Sequence, residues 1–147
     1  MNKKYLAFII FLFLAIPLAW YLISPLFINV VVNENSPIVK STQEVIRGDF
    51  VGADSFHKVE GVAIILDSGE KKYLRFENFK STNGPDLKVW LAKDSTAKDY
   101  VPLGPLKGNI GNQNYEIPSD IDLKEYSFVL IWCEKFSVLF GSAKLSF

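Results

Sequence analysis

One cysteine and one histidine are all this 147-residue chain offers for thiol or imidazole chemistry. Cys133 closes the apolar run Phe128-Val129-Leu130-Ile131-Trp132-Cys133, far downstream of an apolar N-terminus. A sole cysteine cannot form a disulfide within its own chain. In an oxidising compartment it is either a reactive, partner-pairing or cofactor-ligating thiol, or a small buried hydrophobe. The following Glu134-Lys135 reads as a hairpin turn, which puts Cys133 at the rim of a sheet and predicts at least partial access to its sulfur. Lys135 is the nearest cation in sequence. A cation beside the sulfur would favour the thiolate, whereas apolar burial without one makes a thiol inert. Trp132 has two readings, as filler between two sheets or as the shield of the thiol.

His57 is a candidate ligand for a metal or haem opposite a thiolate, but alone it makes no metal site, since zinc takes about four N or S ligands. Its plainer use is a surface or hydrogen-bonding histidine, and no metal site is expected. The only methionine is Met1, so methionine ligation is set aside. Asp86, in Asn83-Gly84-Pro85-Asp86, reads as a turn residue satisfying local backbone amides. Gly104, Gly108 and Gly111 lack the strand-to-helix setting of a phosphate loop and read as loop geometry. No Ser-His-Asp set stands out.

The elements that must hold these residues alternate with a period of two. Val62, Ile64 and Leu66 share one face of a strand, Leu74 and Phe76 a face of the next, and Leu87, Val89 and Leu91 a third. Asp67-Ser68-Gly69-Glu70 has hairpin chemistry, and Gly69 can take a positive φ. Turn signals recur at 83–86, 103–105, Gly108, 111–112 and Pro118. Apolar residues on both faces of 128–133 imply a central strand. In the last strand the facing changes between Phe140 and Ala143, which a one-residue bulge at Gly141 would restore. The pattern predicts an all-β antiparallel sandwich, with Val62, Ile64, Leu74, Phe76, Val89, Phe128, Leu130 and Phe140 in its core. No segment after Ile28 has helical periodicity.

Tyr5–Ile28 carries no charge, and as a helix it would measure about 36 Å, enough for a hydrocarbon core of about 30 Å. Pro17 is tolerated in such a helix. Lys3 and Lys4 precede the run and the next basic residue is Lys40, which predicts a cytoplasmic N-terminus and an external remainder. The run exceeds a signal-peptide core and lacks an Ala-x-Ala site. The expected organisation is a transmembrane anchor (5–28), a tether (29–44) and one extracytoplasmic β-sandwich (45–147), held at the plasma membrane by a single pass. Overall charge is balanced, with 16 basic and 16 acidic residues. No clustered basic face suggests nucleic acid.

The order of motifs adds to this. Gly48-Asp49-Phe50, His57-x-Val59-x-Gly61, Phe79 and Asn83-Gly84-Pro85-Asp86-Leu87 are followed by Leu103-Gly104-x-Leu106-Lys107-Gly108. Then come Gly111-Asn112-Gln113-Asn114-Tyr115, Pro118 and Ile131-Trp132-Cys133-x-x-Phe136-x-Val138-x-Phe140-Gly141-x-Ala143. In this order the chain resembles the DM13 domain family of extracytoplasmic β-sandwich modules. The resemblance implies a part in electron transfer, with Cys133 as the redox residue, either as a bare thiol or as ligand of a group such as haem, with His57 a weak second ligand. It implies a redox partner protein and an electron-transfer or accessory domain rather than an enzyme with its own substrate. A non-catalytic cell-surface binding or scaffolding module, with Cys133 as core packing, is the alternative. Neither the cofactor nor the oligomeric state follows from the residues.

Overall fold

The apolar N-terminus forms a single helix, α1 (Lys3–Ile23), in the computed structural model, which describes residues 2–24, 27–38 and 46–147. Asn2 caps it by accepting from the amide of Lys4. Its 21 residues span about 32 Å, so by length and composition it can cross a membrane. Pro17 lies inside it. The helix stops short of the expected Ile28. The Ser24 carbonyl instead closes a turn by accepting from the amides of Phe27 and Ile28, and a proline at position 25 has no N–H with which to extend the ladder.

Eight strands follow: β1 (Arg47–Gly52), β2 (Val59–Asp67), β3 (Lys72–Ser81), β4 (Leu87–Ala92), β5 (Tyr100–Pro105), β6 (Ile110–Ile117), β7 (Phe128–Cys133) and β8 (Val138–Lys144). Their order in the sheet is β5-β4-β7-β8-β1-β2-β3-β6, and every neighbouring pair is antiparallel. β1 joins two halves. Arg47–Asp49 pair with β2, whereas Phe50–Gly52 pair with β8. The sheet thereby folds on itself, and its end strands β5 and β6 come together in a barrel-like sandwich. Among the described residues no helix follows α1.

The enclosed core is aromatic at its centre. Phe50 lies edge-on to Phe76 and Phe79 at 4.9 and 5.3 Å, and Phe76 stacks on Phe79 at 4.8 Å. Leu74, Val89, Leu91, Val129, Ile131, Cys133 and Phe140 surround them. A second apolar cluster occupies the outer face of β4 and β7, where Trp90 and Leu130 are buried against half-buried Phe128, Trp132 and Leu139.

Three expectations about facing change. In β2 the core side chains are Val59, Ala63 and Ile65, while Val62 and Ile64 lie half-exposed on the other face. An all-apolar run such as Val62–Leu66 has no alternation by which to choose a face; pairing chooses it, with an irregularity at Gly61 (φ 111°). Phe128 and Leu130 belong to the outer cluster rather than the enclosed core. The bulge expected at Gly141 falls one residue earlier, since Gly141 pairs with Ile131 and Leu139 with Trp132, leaving Phe140 over.

Two of the expected turns are strand interiors. Gly104 (φ 126°) lies in β5 beside a bulge opposite Val89 and Trp90, and Gly111 (φ 109°) lies in β6. Glycine supplies the positive φ in each case.

Residues 29–35, expected as tether, dock on β6. Val31 bridges Ile110 in parallel. Val32 and Glu34 donate from their amides to the carbonyls of Ile110 and Asn112, each at 2.9 Å. The segment thus covers a sheet edge that would otherwise present unpaired backbone. The expected boundary at 44/45 lies outside the described residues.

Candidate functional site

Cys133 faces inward from the last position of β7, flanked across the sheet by Leu87 of β4 and Val138 of β8. It is 0 % exposed and free. The partial access expected from its rim position is therefore absent. Nearness to a turn in sequence does not open the inward face of a strand that remains paired on both sides. Lys135 is exposed. Lys88 alternates to the face away from Cys133 and pairs with Asp86 at 2.8 Å and Glu134 at 3.6 Å. Among the described residues none hydrogen-bonds the sulfur. A thiol so placed is out of reach of reagents and partners while the fold stays closed.

Trp132 fills neither of its expected roles. It points away from Cys133 and stacks on Trp90 at 5.3 Å, and Trp90 in turn stacks on Tyr100 at 3.8 Å. This row lies on the outer face of three adjacent strands. Sequence reading missed Trp90 and Tyr100, although a tryptophan breaking the alternation of Leu87–Ala92 was a usable signal.

His57 sits in the loop between β1 and β2. Asp54 precedes it and builds the loop: its Oδ1 accepts from the amides of Phe56 and His57, each at 2.7 Å. Its Oδ2 lies 2.7 Å from His57 Nδ1. A carboxylate accepts only, so Nδ1 carries the proton and Nε2 is the open nitrogen; among the described residues nothing bonds it. The side-chain hydrogen bond from His57, with the two amide bonds, lowers the Asp54 pKa to about 2. The imidazole also rests against the Phe140 ring, with centroids 4.4 Å apart.

Together Phe56, His57, Thr82, Phe136, Val138 and Phe140 line a cleft of about 260 Å³ at one end of the barrel. The polar side chains on the cleft are the imidazole, Asn83 and Thr82, and the Thr82 Oγ1 is buried with no hydrogen-bond partner among the described residues. Val138 is a cross-strand neighbour of Cys133, and Phe140 shares its core cluster. The structure thus places the cleft next to the thiol without joining the two, since Val138 and Phe140 stand between His57 and the core around Cys133.

These residues do not fit a haem held by Cys133. Thiolate ligation needs the haem iron to reach the sulfur directly, and here the sulfur is closed on all sides. The cleft is also smaller than the roughly 300–1,000 Å³ usual for organic ligands. No group of three or more metal-ligating side chains occurs among the described residues.

The other motif residues have structural work. Asp86 pairs with Lys88 rather than capping amides, and its carbonyl accepts from the Glu134 amide at 3.0 Å. Buried Gln113 bonds Gly108 in both directions, at 2.8 and 3.1 Å, and accepts from the Tyr115 hydroxyl at 2.8 Å. Burial pushes the Tyr115 pKa up, so this hydroxyl stays protonated. Glu34 reaches over this platform. Its carboxylate takes Lys107 Nζ at 2.8 Å and the Asn114 amide at 2.6 Å, and its carbonyl accepts from Arg75 at 3.2 Å. Burial raises the Glu34 pKa, but the bonds from Lys107 and Asn114 and the charges of Lys107 and Arg75 outweigh it and leave the pKa lowered.

An antiparallel eight-stranded barrel-like sandwich behind one apolar helix, with a single thiol sealed in its core, defines the class of domain. The family model for electron transfer DM13 matches residues 49–145, about two thirds of the chain, and the chain belongs to that family. It is a redox or electron-transfer-related module. No curated protein and no solved structure matches it.

Proposed function

We propose that the protein is a membrane-anchored module of an electron-transfer system, with α1 as anchor, the N-terminus cytoplasmic and the β domain outside the plasma membrane. Its working surface is the cleft around His57, and Cys133, one side-chain layer beneath, is its redox thiol. The observation that carries this reading is the shared wall: Val138 both flanks Cys133 and lines the cleft. A swing of the 134–137 turn is the shortest route by which the sulfur is uncovered. Once uncovered, the thiolate attacks a disulfide of a redox partner protein. The new Sγ–S bond forms as the partner's S–S bond breaks, and the partner's second sulfur leaves as thiolate.

The complete burial of Cys133 favours a second reading, in which the thiol only packs and the module binds or scaffolds. Alkylation of the native chain separates the two. A redox thiol labels through local opening, at a rate that stays nearly constant across low urea concentrations, because local openings expose little surface. A packing cysteine labels only with global unfolding, at a rate that climbs steeply with urea. The second result, with redox exchange untouched in Cys133→Ala, would leave the binding module as the function.

A further inference from the structure

Four loops share one end of the barrel: 53–58, 82–86, 106–109 and 134–137. Backbone bonds tie them together, from Thr82 to Lys58, from Glu134 to Asp86 and from Ser81 to Asn109. The chain enters the domain at this same end. The Asn83 side chain donates to the Ile28 carbonyl at 3.1 Å, and Asn109 holds both Val30 and Asn29. Ile28 is five residues past the end of α1, and five residues reach at most about 17 Å. From there residues 29–35 run parallel to β6, away from the loop end. The docking converts what would be a flexible stalk into a fixed mount, with the loop end toward the helix.

Two phenylalanines at this end are left uncovered by the described residues. Phe56 is 83 % exposed and Phe136 is 65 % exposed, and both line the cleft. Each has an exposed lysine close in sequence, Lys58 and Lys135, with Asp54 and Glu134 also nearby. Apolar side chains flanked by lysines suit the boundary between acyl chains and headgroups, where the ring is buried and the ammonium reaches the polar layer. We propose that the loop end bearing Phe56 and Phe136 rests in the lipid interface of the membrane that α1 crosses, so that the cleft opens against the bilayer surface. This rests on the reading of α1 as an anchor.

The test uses the full chain reconstituted in phosphatidylcholine–phosphatidylglycerol nanodiscs, with a nitroxide at Phe56→Cys, Phe136→Cys, Tyr100→Cys or Ile10→Cys, one at a time. The unsubstituted chain reports any background from Cys133. Tyr100 begins β5 at the opposite end of the barrel, and Ile10 lies within α1. Collision rates with oxygen, which prefers lipid, and with a nickel chelate, which prefers water, report depth. The expected oxygen-to-nickel ratio is several-fold higher at 56 and 136 than at 100, and highest at 10. A lipid-like ratio at 10 with water-like ratios at 56 and 136 would overturn the docking alone. A water-like ratio at 10 would overturn the anchor, and the docking with it.

Discussion

Asp54 holds the His57 loop through one carboxylate that makes three bonds, so replacing either partner has a readable consequence. In His57→Ala the Asp54 carboxyl should rise from about 2 toward its ordinary range, visible as a shifted carboxyl titration by NMR. Its folded pKa is depressed, so its stabilising effect is full above the ordinary carboxylate value. That effect is lost as pH falls through about 2. Asp54→Asn should accordingly destabilise the protein at neutral pH, with the deficit shrinking as both proteins are acidified below about pH 4. Thermal melts across that window check the sign. At Cys133, substitution by Ala should cost about 1–2 kcal/mol, because the site is closed and collapses incompletely. Cys133→Ser should cost more, because a hydroxyl placed there has no partner. Urea midpoints of the two variants should fall in that order.

At the scale of elements, the docking of residues 29–35 depends on Gly111. A Cβ there would fall on the Val32 carbonyl oxygen, whereas a Cβ on Gly104 would meet nothing within 4 Å. Both residues have positive φ, so an alanine at either adds about 1–2 kcal/mol of backbone strain. Gly104→Ala should show that strain alone. Gly111→Ala should cost more, and should also lose hydrogen-exchange protection at the Val32 and Glu34 amides. Equal losses, with protection intact in both, would show that the segment contributes nothing to the edge of β6.

For the whole molecule, the same docking sets where the folding unit begins. A fragment starting at residue 45 would expose the β6 edge and leave Lys107 and Arg75 without Glu34. A fragment starting at residue 29 keeps both. The longer fragment should melt higher, by about 4–8 °C for each kcal/mol the segment contributes, and both should give strand-dominated circular dichroism. The membrane reading has its own check. Mass spectrometry of the mature protein from the membrane fraction should find the N-terminus intact ahead of Lys3. A terminus between residues 25 and 35 would make the chain a secreted domain.

Some of this was legible in the sequence because it depends on near neighbours. The apolar helix, the period-two strands, the Gly69 hairpin and the two-faced apolar strand at 128–133 follow from spacing and turn chemistry. So does the opposition of Cys133 to Trp132 on the faces of one strand. Burial of Cys133, by contrast, was decided by Leu87 and Val138, which lie 46 residues before it and across a turn after it, and no rule of spacing reports on such partners. The face of β2 was decided by pairing at Gly61, because a run apolar on both sides carries no alternation to read. Residues 29–35 looked like tether because Asn33 and Asn35 lead into Ser36 and Pro37, with few core-forming residues after Val32. Their polarity serves the bonds of Asn29, Asn33 and Glu34 to β6 and the loop before it, a long-range match that exists only once β6 has become the edge of the sheet.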